Sequence, residues 1–197
     1  VAFAVPALFA ISLGTAHLLQ SWGLNPVATL GHSLGECTAA AFTGALALGD
    51  ACALVAARCT AAARSAGVGG MMSVALGESD LRDVLSKLPG IDVAAVNGPN
   101  SCVVAGIHDE LRSAQTALTE RGVDTSMLRL DAAMHSRHVE PALDDVERTV
   151  SAFETPTHRI NTVTSTATIF STVTGAAVDD AILREPSHWV DQLRSPV

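Results

Sequence analysis

The pentapeptide Gly31-His32-Ser33-Leu34-Gly35 constrains this chain most, because of what flanks it. Val27-Ala28-Thr29-Leu30 before it reads as a short buried strand, and Glu36 to about Leu46 after it has helical composition. A serine between two glycines at a strand-to-helix turn has the pattern of a nucleophile elbow. The glycines let the backbone turn sharply and leave Ser33 at the helix N-terminus. Backbone N–H groups there, Leu34's first, can bind a developing oxyanion. The alternative is a tight strand–helix turn carrying an ordinary serine.

Upstream, Pro6 to Leu19 suits a helix with Leu8, Ile11, Leu18 and Leu19, ended by Trp22-Gly23. The apolar run from Val1 to Leu13 has no basic leader, contains Pro6, and is shorter than the ~18 residues of a membrane span, so it reads as a core helix. A second helix covers roughly Asp50 to Ala66, with Cys52, Val55, Ala56 and Cys59 on one side. Gly67-Val68-Gly69-Gly70 then marks a change of pattern. Strand Met71–Leu76, helix Ser79–Leu88, strands Ile91–Val96 and Ser101–Ala105, helix Asp109–Arg121 and strand Val123–Leu130 follow. That β-α-β-β-α-β order is the ferredoxin-like signature, set as an insert within a larger α/β unit. Beyond it, Val139, Leu143, Val146, Val150 and Phe153 recur at helical spacing. The region Ile160–Gly175 is β-rich and duplicated, Asn161-Thr162-Val163-Thr164 being echoed by Ser171-Thr172-Val173-Thr174. A loop and a short helix that includes Trp189 close the chain.

Composition narrows the class. The chain has 197 residues, 48% apolar, and a formal charge of −8, with Lys87 as its single lysine. An acidic surface of this kind does not favour nucleic acid or anionic membranes. Cys37, Cys52, Cys59 and Cys102 sit in apolar stretches without CxxC spacing and read as buried small hydrophobes of a reducing cytoplasm.

A serine nucleophile needs a base. Of seven histidines, His32 adjoins Ser33, where neighbouring side chains diverge, and His108 falls in a turn of the insert, where it is expected to be solvated. His135 and His138 lie where the chain returns to the main sheet, which makes His135 the leading candidate. His135, His138 and Glu140 fit no common metal-ligand spacing, so no metal site is expected.

At this point the residues resemble a known family. Gly31-His32-Ser33-Leu34-Gly35-Glu36, Ala94-Ala95-Val96-Asn97-Gly98-Pro99 and Ser101-Cys102-Val103-Val104-Ala105-Gly106 look like the acyltransferase domain of modular type I polyketide synthases, of the malonyl-CoA:acyl carrier protein transacylase family. Val55-Ala56-Ala57-Arg58, Met134-His135-Ser136 and Leu193-Arg194-Ser195-Pro196-Val197 support it, in the family's order. The resemblance implies an α/β-hydrolase-like core (1–68 and 132–197) carrying a ferredoxin-like subdomain (69–131). Relative to the family, the core is truncated at both ends, without the Gly-Gln-Gly strand-turn that supplies half of the oxyanion hole.

It further implies Ser33 as nucleophile, His135 as general base, and Arg58 as partner of a malonyl-type carboxylate. Leu34 supplies an oxyanion N–H, and His32, Ala132 and Met134 line the substrate site. In the family, main-chain carbonyls rather than a carboxylate orient the histidine, and the β-rich Asn161–Gly175 region is the expected source. No cofactor is bound. The substrates are malonyl-CoA and the phosphopantetheine thiol of an acyl carrier protein, beside a ketosynthase and other synthase domains. Leu34 and Met134 lean toward malonyl over methylmalonyl, whereas Ala132-Ala133-Met134-His135 matches neither common specificity block. The alternatives are a serine esterase or thioesterase of related fold, which would have no need of Arg58, and an inactive fragment of the domain.

Overall fold

The computed structural model describes residues 3–64, 66–153 and 167–197. In chain order the helices are α1 (Ala4–Ser21), α2 (Leu34–Thr43), α3 (Leu48–Arg64), α4 (Glu78–Leu85), α5 (His108–Thr119), α6 (Leu143–Ser151) and α7 (Pro186–Arg194). The strands are β1 (Ala28–Leu30), β2 (Gly69–Val74), β3 (Asp92–Gly98), β4 (Ser101–Ile107), β5 (Thr125–Met127), β6 (Thr168–Ser171) and β7 (Ala176–Val178). They form two compact units, one of Ala61–Leu143 with Gln192–Val197, the other of Ala2–Thr60 with Asp144–Asp191.

In the second of these units β1 pairs in parallel with β6, Ala28 opposite Thr168 through Leu30 opposite Phe170, and β6 pairs antiparallel with β7. β1 is thus an edge among the described strands, and Leu30 is exposed where the sequence predicted a buried strand. α2 buries Cys37, Ala39, Ala40 and Phe42, and α3 buries Ala51, Leu54 and Val55. Trp189 is wholly buried, its indole N–H donating to the Leu183 carbonyl at 2.7 Å, the partner a buried tryptophan needs.

α1 corrects an expectation. Its length and mean hydropathy of 1.3 would pass for a membrane span, yet only Phe9 of the helix is buried. Leu8, Ile11, Leu18 and Leu19, the residues that suggested a core helix, are exposed. A helix apolar around its whole circumference does not select a face by pattern. Contact does so here, through the half-buried stripe Val5, Leu13 and Ala16 with Phe9, and through the His17 ring, tilted against Phe42 with centroids 5.3 Å apart.

The other unit is the predicted β-α-β-β-α-β, in an antiparallel sheet of order β3-β4-β2-β5. Strand periodicity divides its side chains between two faces. Met72, Val74, Cys102 and Val104 pack with Leu81 and Val84 of α4 and Leu111 and Leu118 of α5. Met71, Ala94, Ala95, Val103 and Ala105 face the other way, against Ala133, Leu130, Met134 and Val197. The chain's last residue lies alongside β3, Val96 N–H donating to Val197 C=O at 2.9 Å and Val197 N–H to Ala94 C=O at 3.0 Å.

Smaller differences have local causes. The helix predicted over 139–153 is a 3-10 turn (Arg137–Ala142) followed by α6, because Pro141 lacks the N–H an α-helix would use. β5 keeps three residues of the predicted eight-residue strand. Cys52 is exposed and Cys59 half-buried, contrary to expectation, since their side of α3 is only partly covered. His108 opens α5 rather than lying in a turn, and its Nε2 is 3.2 Å from Asp131 Oδ1. Of the duplicated stretch, Ser171 ends β6 and Thr172–Gly175 turn into β7; the first copy, like His158, lies outside the described residues.

Candidate active site

Only two non-glycine residues among those described have a left-handed φ, Ser33 at +53° and His135 at +56°. Side-chain-bearing residues avoid this region at a cost of order 1–3 kcal/mol, and such strain clusters at functional sites. Both are residues already singled out for chemistry.

Ser33 is the N-cap of α2, yet its hydroxyl makes no capping hydrogen bond. The first turn closes through its backbone instead, Gly35 N–H to His32 C=O at 2.9 Å and Glu36 N–H to Ser33 C=O at 3.1 Å. Leu34 is the first helical residue, so its N–H has no acceptor within the helix. Gly31 permits the turn: a Cβ there would lie 2.0 Å from the Gly35 carbonyl carbon and 2.1 Å from Glu36 N. Gly35, also expected to relieve the turn, has open space around it and an ordinary φ, so the steric demand falls on Gly31 alone.

Arg58 reaches Ser33 from α3. The residue is 3% exposed, and Nη2 donates to Ser33 Oγ over a long 3.4 Å. The buried Cys37 thiol is pushed up to about 11 by burial, against the opposing pull of the Arg58 charge. A buried thiol held in this way stays protonated at neutral pH, whereas Ser33 stands at the head of α2. Leu34 and His32 line a largely apolar cleft of about 890 Å³ between α1, β1 and α2, whose lining includes neither Ser33 nor Arg58.

His135 belongs to the other unit and is 3% exposed. Its Nδ1 lies 3.0 Å from the Ser195 carbonyl oxygen. A carbonyl can only accept, so Nδ1 carries the proton and Nε2 is the basic nitrogen. The carbonyl comes from the chain's closing stretch, which lies along β3, rather than from the expected β-rich region. The strained loop is held on both sides. Ser136 Oγ donates to Ala133 C=O at 2.7 Å and accepts from His138 N–H at 3.2 Å. Arg137 donates its backbone N–H to Asp92 Oδ2 at 2.7 Å and its guanidinium to Oδ1 at 2.6 Å. Burial would raise the Asp92 carboxyl, but these bonds and the Arg137 charge hold it below the usual range. Ala132 is fully buried, and Met134 is half-buried against the Ala94–Ala95 face of the small sheet. No cluster of metal-ligating side chains occurs among the described residues.

One group escaped the sequence reading. Glu36 is completely buried, accepting from His188 Nε2 at 2.9 Å and from Thr172 Oγ1 at 3.2 Å. The local signal, Ser33-Leu34-Gly35-Glu36, has the form of a capping box, in which serine and glutamate would bind each other's N–H. Neither does so here, for both side chains are engaged elsewhere.

The family model "Acyl transferase domain" matches residues 1–197. Polyketide synthase GfsA of Streptomyces halstedii is 36% identical over 99% of the chain, which spans 2% of that protein. Spectinabilin polyketide synthase system protein NorB of Streptomyces orinoci is 36% identical over the whole chain, which spans 9% of it. The crystallised acyltransferase domain from module 8 of the salinomycin polyketide synthase superposes with a TM-score of 0.89 at 35% identity, over 98% of this chain and 44% of that one. The chain thus spans a small part of these synthases and less than half of the crystallised chain. With a strained serine at the head of α2, a buried arginine beside it and a match along its whole length, the chain belongs to the acyl transferase domain family.

Proposed function

We propose that this chain carries the transfer of a malonyl-type unit from coenzyme A to the phosphopantetheine thiol of an acyl carrier protein, in the cytoplasm, within a polyketide synthase that also holds a ketosynthase and other domains. The observation that carries the reading is the buried Arg58 guanidinium 3.4 Å from Ser33 Oγ. A planar guanidinium can grip a carboxylate through two N–H donors, and an esterase acting on simple acyl groups has no use for it there.

In this reading Ser33 Oγ attacks the thioester carbonyl while His135 Nε2 takes its proton. The oxyanion forms against the Leu34 N–H at the positive end of α2. The carbon–sulfur bond breaks, the coenzyme A thiolate leaves with the proton from His135, and malonyl remains as an ester on Ser33. The carrier thiol then attacks that ester, giving its proton to His135, and Ser33 is released as the alcohol. No cofactor enters beyond the two thiol-bearing substrates. Met134 and Ala132 shape the acyl pocket, with malonyl favoured over methylmalonyl, and segment 69–131 acts as a subdomain of the 1–68 and 132–197 core.

Comparing malonyl- and acetyl-coenzyme A as donors to a carrier protein tests this. Arg58→Ala is expected to cut malonyl transfer by about 100-fold or more, the scale of about 3 kcal/mol for losing one partner of a buried charge pair, while sparing acetyl transfer. Equal loss of both would make Arg58 structural and remove the case for a dicarboxylic donor.

A further inference from the structure

We infer that Glu36 and His188 form a positioning pair that holds the nucleophile turn, through a contact reaching from the first turn of α2 to the N-terminal half of α7. The inference rests on the reading of Ser33 as nucleophile and adds the device that keeps Ser33 in place.

Glu36 is the third residue of α2, one helical turn from Ser33, and its backbone N–H bonds the Ser33 carbonyl. Its carboxylate is not exposed at all and divides its oxygens between two elements. Oε1 takes the His188 Nε2 bond, and Oε2 takes the Thr172 hydroxyl, just past the end of β6. β6 is the strand on which β1 is registered, Leu30 opposite Phe170, and β1 feeds directly into Gly31. The strand before the turn and the helix after it are therefore tied to one another twice, by the β1–β6 ladder and by Glu36. A turn whose central residue sits at φ +53° relaxes unless both its arms are fixed.

The pair is built rather than incidental. His188 is 6% exposed and stacks edge-on against the buried Trp189 at 5.1 Å, which fixes its ring. A carboxylate in the first turn is also favoured by the helix dipole. Burial would raise the Glu36 carboxyl, but the hydrogen bonds from His188, Ser171 and Thr172 and the charge of His188 outweigh it, so the carboxyl lies below its ordinary value. Glu36 itself touches no reacting atom in this account; it acts through the Ser33 backbone.

The test measures Ser33 acylation by malonyl-coenzyme A in the full chain, together with inactivation by a small fluorophosphonate that needs neither Arg58 nor the carrier. Glu36→Ala and His188→Ala are expected to slow both by about 10- to 100-fold, the scale of a small misplacement of the attacking atom, with KM for malonyl-coenzyme A within about twofold. Glu36→Gln keeps an acceptor for His188 and is expected to stay within about threefold of the parent rate. Circular dichroism and thermal melts identify which variants fold. If Glu36→Ala does not, His188→Ala and Thr172→Val carry the comparison. Parent-like rates in both of those, or in a folded Glu36→Ala, overturn the inference, as does a loss confined to KM. Failure of the underlying reading looks different: the label would persist in Ser33→Ala whatever happens at Glu36.

Discussion

Ser33 keeps its left-handed φ because Gly31 has no side chain: any Cβ at position 31 would occupy the backbone of Gly35 and Glu36. Gly31→Ala is therefore expected to destabilise the protein by about 3 kcal/mol or more, the upper range for overpacking against atoms that cannot move. Gly35→Ala, with open space and an ordinary helical φ, is expected to be neutral or to gain up to about 1 kcal/mol. Denaturant midpoints of the two variants check this, and equal losses would contradict the assignment of the steric demand to Gly31. At this scale Ser33, His135 and Arg58 were legible as candidates, because a strand-to-helix serine turn and the family blocks are local strings. The direction of Glu36 was not, since the same string reads as a capping box and the deciding partner, His188, is 152 residues away.

Elements inherit their stability from such long-range pairs. Glu36 links α2 to α7, and Asp92 links β3 to the turn that carries His135. Both carboxyls have folded-state values below the ordinary range, so each contributes stability that is present above the ordinary carboxylate value. That stability is lost as pH falls through the lower folded values. Unfolding midpoints are thus expected to drop as pH falls below about 4. Asp92→Asn should show a smaller drop between about pH 6 and pH 3 than the parent, and parallel curves would mean Asp92 contributes nothing. α1 shows the limit of pattern at this scale. An apolar stretch fixes that a helix forms but not which face is covered, and its exposed Leu8 and Ile11 could be assigned only from the fold. The source of the carbonyl on His135 was equally hidden, because the pairing of Val197 with β3 that accompanies it depends on tertiary register.

The whole molecule divides its work between two compact units. One has a four-stranded sheet with apolar packing on both faces, whose β-α-β-β-α-β order was legible because local alternation and turn residues set it. The other has three short described strands and carries Ser33, Arg58 and Glu36. Amide hydrogen exchange should follow this division: slowest in β4, which is paired on both sides and buried, and fastest in α1, where only Phe9 is buried. Equal protection in the two would contradict the described packing. Acylation of Ser33 is covalent and can be read by mass. After incubation of the full chain with malonyl-coenzyme A, intact mass and peptide mapping are expected to show one malonyl group, carried by the peptide containing Ser33 and absent from Ser33→Ala. A label that maps elsewhere, or that survives Ser33→Ala, would contradict the account.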